Sequence, residues 1–361
     1  MTHTNSLAAL GWSAHFEEQW NALPDEPHAV AGRVVEVQRD LALLATPDGE
    51  VWTALAGRFR HDVARPSDLP AVGDFAVARH RPGDDRAVLL RLLQRKSHLS
   101  RKAPETGVEQ TIVANVDVAF VVTATGHDLN VRRVERYLSM VWDGGALPVV
   151  VLTKADQTDD VDRCAAEVAS ASPGVRVVVT SAYTGAGVDE LARLVAPGQT
   201  AVLLGSSGTG KSTLVNALVG RTVQAVSVVS GHRDKGRHTT TARRLVHLPG
   251  GGMIIDTPGL RELQLMDVEQ GVSRTFDDVE RLVARCRFTD CQHRTEPGCA
   301  VRAALQSGEL DADRFNSYRK LQREAAYEAR QSDANLMRAE RERWKKLGQQ
   351  GRGNMRRKRL W

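Results

Sequence analysis

The chain has 361 residues, 42% of them hydrophobic, enough for two or three domains that each bury a core. No window approaches the roughly 18 consecutive apolar residues of a membrane-spanning helix, and Glu17 and Glu18 break the N-terminus before a signal-peptide core can form, so a cytoplasmic protein is expected. The net charge is +5, and much of the excess sits at the end, where Lys345 to Trp361 holds seven Lys or Arg and no acid; this points to a solvated tail or a polyanionic partner.

Residues 1–29 read as an N-terminal extension. From 30 to 101, short β-branched segments (VAGRVVEVQ, LALLATP, EVWTALAG, DFAVARH, AVLLRLLQR) are separated by turn signals at Pro47-Asp48-Gly49, Pro70 to Asp74 and Pro82-Gly83. That spacing suits a small antiparallel barrel and is compatible with an OB-fold. From 102 to 266, apolar strand-like runs (VDVAFVVTA, LPVVVLT, VRVVVTS, TAVLLG, GMIID) alternate with helical stretches such as VRRVERYLSMVW and GVDELARLV. Such alternation predicts a parallel sheet covered by helices on both faces. Residues 267–347 are charged and helix-rich, with a long polar helix predicted from Asp311 to about Lys346, and 348–361 form the basic tail. The expected fold class is α/β: a central domain built on the parallel sheet, an OB-like β-barrel before it and a helical domain after it.

Gly205-Ser206-Ser207-Gly208-Thr209-Gly210-Lys211-Ser212, followed by Thr213, fits G-x4-G-K-[ST] between an apolar run and a helical one. The glycines let backbone N–H groups turn inward around phosphate oxygens at the positive end of the helix. Lys211 is expected on the β- and γ-phosphates and the Ser212 hydroxyl on Mg2+. A glycine-rich turn without function would not need the strand and helix on either side.

The base is read elsewhere. Thr153-Lys154-Ala155-Asp156 ends the strand LPVVVL and resembles the [NT]-K-x-D motif of GTPases. A carboxylate there accepts from N1–H and the exocyclic amine of guanine; adenine offers neither, which would leave a charge unmatched. Four residues at a strand end are weak evidence alone, but Ser181-Ala182 after VRVVVT, the phosphate loop, and Asp256-Thr257-Pro258-Gly259 after GMII complete a set. Asp256 is expected near Mg2+ and the Gly259 N–H at the γ-phosphate. Gly236-Arg237-His238-Thr239-Thr240-Thr241 is a switch-like segment, with Thr240 assigned to Mg2+. GTPases ordinarily run phosphate loop, switch, DxxG, NKxD, SA. Here the last two come first, as if the chain had been opened and rejoined at other loops. The segment after DxxG then leads into the C-terminal domain, which suggests transmission of nucleotide state as a rigid-body shift.

Three of the four cysteines crowd together: Cys286, Cys291, His293 and Cys299 give C-x4-C-x-H-x5-C, three thiolates and an imidazole, a soft tetrahedral set suited to one structural Zn2+. A chance cluster of free thiols is the competing reading. Cys164 reads as a buried structural residue.

TKAD, GSSGTGKST, GRHTTT, DTPGL and the Cys/His segment with Glu296-Pro297-Gly298 together resemble the ribosome small subunit-dependent GTPase A family of circularly permuted GTPases, over nearly the whole chain. The resemblance implies a GTP hydrolase that binds the small ribosomal subunit and its rRNA, assists its late maturation and is stimulated by it, with the zinc domain in ribosome contact. It also implies that the SA loop presents a backbone N–H to guanine O6, and that His238 organises the attacking water. Leu260 stands where Ras-like enzymes place a water-orienting glutamine, so intrinsic hydrolysis should be slow. The competing class is an RNA-binding assembly module that holds GTP as a structural ligand. A membrane-bound GTPase is disfavoured because the basic tail lacks a lipidation motif or an apolar helical face. A monomer is expected.

Overall fold

The computed structural model describes residues 7–24, 26–38, 41–57, 59, 66–79, 86–102, 109–126, 129–221, 243–256 and 269–332. Five strands build the barrel: β1 (Ala29–Gln38), β2 (Leu41–Thr46), β3 (Gly49–Leu55), β4 (Phe75–Arg79) and β5 (Ala87–Leu92). β1, β2 and β3 form an antiparallel meander, β3 pairs in parallel with β5, and β4 joins β5 back to β1. This is a five-stranded barrel of OB type. Strand alternation turns Val34, Ala42, Leu44, Ala76, Ala78 and Leu89 inward.

The N-terminal segment is part of the packing. Helix α1 (Ala14–Asn21) sets the fully buried Phe16 against Phe75 of the barrel, ring centroids 4.3 Å apart. Arg33 of β1, also buried, donates to the carbonyls of Leu10, Gly73 and Asn115 and so ties the N-terminus, the barrel and the approach to the second sheet together. Burial without a directly bonded carboxylate lowers its pKa to about 10.

A two-stranded ribbon, β6 (His98–Lys102) and β7 (Glu109–Ala114), leads into the nucleotide-binding sheet. There β8 (Val118–Ala124), β9 (Leu147–Thr153), β10 (Arg176–Val179), β11 (Thr200–Leu204) and β13 (Met253–Asp256) run parallel in the order β10-β9-β8-β11-β13. β12 (Arg244–His247) lies antiparallel on β13 and meets β1 at Glu36, joining sheet and barrel. The continuous apolar runs follow from burial on both faces. α2 (Val131–Asp143) and α3 (Val161–Ala171), with buried Cys164, cover one face; α4 (Val188–Arg193) and α5 (Lys211–Val219) cover the other. Asn130 caps α2 by accepting from Arg133 N–H at 3.0 Å.

From Glu269 on, the described residues are helices and loops: α6 (Glu269–Thr275), α7 (Asp277–Val283), α8 (Ala300–Ser307) and α9 (Ala312–Ser332). α9 accounts for the first part of the predicted polar helix; the rest of that stretch and the basic tail lie outside the described residues. α6 crosses α2 so closely that a Cβ on Gly271 would overlap the Ser139 carbonyl. Ser139 Oγ donates to Thr275 Oγ1 at 3.1 Å. This contact buries Glu135 and Ser139, one turn apart on what would otherwise be the solvent face of α2.

Candidate functional site

All the motif-bearing loops that can be placed leave the carboxyl ends of the parallel strands, where open α/β sheets bind ligands. Gly205–Gly210 joins β11 to α5. Gly205 has φ +149°, and a Cβ there would strike the Val122 carbonyl of β8; Gly208 and Gly210 have φ of +81° and +85°. These conformations are strained for any other residue, and they bring the loop tightly from β11 onto the α5 N-terminus, the positive end of that helix. Thr209 Oγ1 donates to Ser206 O at 2.9 Å. Lys211 Nζ folds back over the loop, donating to Gly205 O at 2.7 Å and to Ser206 O. Ser212 and Thr213 begin the helix behind it.

Thr153 ends β9, and its role is a brace between motifs. Its hydroxyl donates to Thr209 O at 2.6 Å, connecting TKAD to the phosphate loop across the one intervening strand, β8. Lys154 takes a left-handed conformation, φ +59°, with its carbonyl accepting from Thr125 Oγ1 at 2.9 Å. Ala155 N–H donates to Thr180 O at 3.1 Å, stitching the base loop to the strand before Ser181. Ser181 Oγ donates to Asp156 Oδ1 at 2.5 Å, which fixes the carboxylate next to the SA loop. That loop is closed by Ser181 N–H on Ala186 O at 3.0 Å and by Thr184 N–H on Ser181 Oγ at 3.1 Å, with Ala182 half-buried between them. Asp256 is 7% exposed at the end of β13, one strand from the phosphate loop. His238, Thr240, Gly259, Leu260 and the remainder of GRHTTT and DTPGL lie outside the described residues.

The end of β8 went unnoticed in the sequence. Thr125 supports Lys154, the Thr123 carbonyl accepts from Thr153 Oγ1 at 3.3 Å, and Val122 presses on Gly205. The signal was the VVTAT run itself, where small hydroxyl residues replace aliphatic ones as the strand reaches the ligand end.

The second site lies in the C-terminal helices. Cys286 follows α7, Cys299 caps α8, and the loop between them carries Cys291 and His293. The four ligand atoms lie within 4.8 Å of one another. Cys286 Sγ is 3.9 Å from Cys299 Sγ, and His293 Nδ1 is 3.6 and 3.5 Å from those two sulfurs. Zn–S bonds of about 2.3 Å and Zn–N bonds of about 2.05 Å require tetrahedral edges of about 3.8 Å for S···S and about 3.6 Å for S···N. The donors therefore fit a tetrahedral metal ion. The thiols differ: burial pushes Cys286 up, but backbone N–H groups of Val301 and Ala300 outweigh it and hold that thiol below its usual pKa, whereas burial and the neighbouring Cys299 and Cys286 thiols push Cys291 up to about 11. Cys299 Sγ accepts from Arg302 N–H at 3.4 Å. Glu296 shapes the loop by accepting from the N–H groups of Gln292, Arg294 and Thr295 at 2.9, 2.7 and 2.9 Å; its own backbone N–H first, then those of Arg294, Gln292 and Thr295, lower its pKa to about 2.

The RsgA GTPase family profile matches residues 92–266. The small ribosomal subunit biogenesis GTPase RsgA of Opitutus terrae is 45% identical over 357 residues, spanning 95% of this chain and 96% of the relative. The protein of the same name from Streptomyces avermitilis is 43% identical, covering 99% of this chain and 95% of its own length. Among solved structures, YjeQ from Thermotoga maritima superposes with a TM-score of 0.61 at 27% identity, over 82% of this chain and 99% of that one. YloQ, a circularly permuted GTPase, shares the fold with a TM-score of 0.58 at 22% identity, over 84% of this chain and 98% of that one.

Proposed function

The chain belongs to the RsgA family of circularly permuted, GTP-hydrolysing ribosome-biogenesis enzymes, and on that premise we propose that it binds the small ribosomal subunit, assists its late maturation and hydrolyses GTP faster when bound. The observation that carries the GTP reading is the Thr153–Thr209 hydrogen bond together with the Ser181–Asp156 one. They tie a base reader and a phosphate reader, out of the usual order in the chain, into one rigid cradle.

In this reading Asp156 accepts from guanine N1–H and the exocyclic amine, with Ser181 fixing its rotamer, and Ala182 offers its N–H to O6. The Lys154 stem lies along the base. Residues Gly205 to Thr213 hold the phosphates, and Lys211 exchanges its loop carbonyls for phosphate oxygens, which requires only rotation about its side-chain bonds. Ser212, Thr240 and Asp256 would hold Mg2+, which when bound supplies charge neutralisation at the β- and γ-phosphates. Gly259 N–H meets the γ-phosphate, and His238 orients the water. Cys286, Cys291, His293 and Cys299 hold one structural Zn2+ and shape a surface for rRNA.

No helix among the described residues is long and apolar enough to cross a membrane, and we assign the protein to the cytoplasm, as a monomer. The experiment is GTP turnover with and without purified small subunits. Stimulation together with co-sedimentation supports the proposal. Binding without any turnover would favour an assembly module that keeps GTP as a structural ligand, as Leu260 suggests.

A further inference from the structure

The strand that precedes Asp256 has a neighbour on each side. β12 pairs with β13, Arg244 opposite Asp256, and with the barrel strand β1, Arg244 opposite Glu36. A bulge in β1 sets up the second contact: Val34 pairs with Leu44 and Glu36 with Leu43, so Val35 is the extra residue. Val35 is buried in the core that also holds Leu245 and Ile255, and Glu36 meets β12. Glu36, Arg244 and Asp256 therefore form one cross-strand row of acid, base and acid. Residues directly opposite share a face, with Cβ atoms about 4.5–5.5 Å apart.

Arg244 stands between two claims. Its side chain reaches the barrel, with Nη2 at 3.5 Å from Glu50 Oε2 of β3 and Nε at 4.0 Å from Glu36 Oε2. Glu36 is buried, and Gln38 Nε2 fixes it by donating to its other oxygen at 2.5 Å. On the opposite flank, the cross-strand partner of Arg244 is the buried Asp256. A guanidinium set on a carboxylate takes up the oxygen lone pairs that a divalent cation needs, and its charge repels the cation. Two acids on the barrel flank offset that charge and give the donor fork another place to bind. We propose that Glu36 and Glu50 are positioning residues of the nucleotide site: by holding Arg244 on the barrel side, they keep the Asp256 carboxylate open to Mg2+. The barrel then tunes the site without touching nucleotide, and by linkage Mg2+ with GTP favours the barrel-held arginine. This rests on the assignment of Asp256 to Mg2+ made above.

The test uses the full chain and follows binding of a non-hydrolysable GTP analogue as Mg2+ is raised, with GDP affinity measured separately in EDTA. Replacing both acids, Glu36→Gln with Glu50→Gln, should raise the Mg2+ concentration for half-maximal analogue binding by about threefold to fivefold, the range of a part-exposed ion pair. GDP affinity without Mg2+ should stay within about twofold of wild type, as for sites that share no partner. Arg244→Gln added to that background should return the Mg2+ requirement to the wild-type value or below, because the competitor is gone. A scaffold pair behaves otherwise: its loss weakens both nucleotides, and removing Arg244 adds to the damage. The proposal is overturned by an unchanged Mg2+ requirement in the glutamine variant, by a rise that survives Arg244→Gln, or by a parallel loss of GDP. Asp256→Asn tests the premise by itself. If it leaves the Mg2+ dependence unaltered, the metal assignment fails and the proposal with it. If it raises the requirement while the glutamine pair does not, the metal assignment stands and the part given to the barrel is refuted.

Discussion

Arg314→Ala should detach the C-terminal helices from the nucleotide-binding domain while leaving the nucleotide site in place. Arg314 lies 6% exposed in α9 and makes a bidentate pair with Asp278, Nε to Oδ2 and Nη2 to Oδ1 both at 2.6 Å. It also donates to Glu135 Oε1 at 3.0 Å, to Ala171 O at the end of α3 at 2.8 Å, and to Thr275 O at 3.0 Å, with its guanidinium over the Phe276 ring at 4.7 Å. Burial opposes the charge, but Asp278 and Glu135 outweigh it and hold the pKa above its ordinary value. Removing one partner of a buried ion pair costs about 3–5 kcal/mol, because the other charge is left stranded. Two features soften the loss. Asp278 is 29% exposed and can rehydrate, and Glu135, with no exposure, keeps Arg132 at 2.9 Å and Ser317 at 2.5 Å. The cation–π contact adds about 1 kcal/mol to the loss. The expected destabilisation is about 3–4 kcal/mol.

The assay is urea unfolding of the full chain, with amide exchange resolving α6, α7 and α9. A double-mutant cycle with Glu135→Gln should return a coupling of at least about 1.5 kcal/mol. GTP affinity should hold, since Arg314 touches α3 at the end remote from Asp156. A loss under about 1 kcal/mol, or protection of α6 amides that matches wild type, would refute the reasoning.

Asp156→Asn should cost about 2–4 kcal/mol of GTP binding and admit xanthine nucleotides, whose O2 can accept from the amide; unchanged GTP affinity in a titration removes TKAD from the site. Thr153→Val deletes the bond to Thr209 O and should weaken GTP by about 1 kcal/mol, with GDP affected equally because the brace lies under the loop and not at the γ-phosphate; selective loss of GTP would contradict this. His238→Ala, outside the described residues, should keep GTP binding and lower subunit-stimulated turnover by about 10²-fold, whereas full turnover eliminates it as a catalyst. Cys291→Ser should release zinc, checked by metal analysis, and reduce co-sedimentation with small subunits at nearly constant GTP affinity; wild-type co-sedimentation after verified zinc loss would shift ribosome reading to the barrel.

The barrel, the parallel sheet, the glycine loop after β11 and the Cys/His cluster could be read from the sequence because each depends on local spacing: alternation within a strand, glycines within a loop, cysteines within fourteen residues. What could not be read is what distant segments do to one another. Glu135 and Ser139 look like solvent-facing polar residues on α2. They are buried because Arg314 and Thr275 reach them from positions 179 and 136 residues away. The Thr153–Thr209 brace spans 56 residues and leaves no mark on either motif. β12 escaped notice because four residues, RLVH, with exposed ends carry too little alternation to register. α1 escaped because eight residues with two glutamates look like a polar leader until Phe16 meets Phe75.

The docking also changes how nucleotide state can travel. The chain order suggests a lever, with the segment after Asp256 swinging the C-terminal helices as a body. In the structure those helices are fixed to α2 at Gly271 and Ser139, through Arg314, and by the Arg136–Glu324 ion pair at 3.0 Å. α2 follows β8, whose end supports Lys154 and presses on the phosphate loop. A swing at α6 alone would have to open an interface holding a buried charge, at a cost comparable with the 3–4 kcal/mol worked out above. A nucleotide can shift an equilibrium only by its differential affinity for the two states. A shift that carries α2, and with it the C-terminal helices, avoids that cost. On the proposed function, a signal from the γ-phosphate to the Cys/His loop is therefore expected to run through the β8–α2 body as well as through the covalent connection after Asp256, and Ser139→Ala or Glu135→Gln should weaken that coupling without changing GTP affinity.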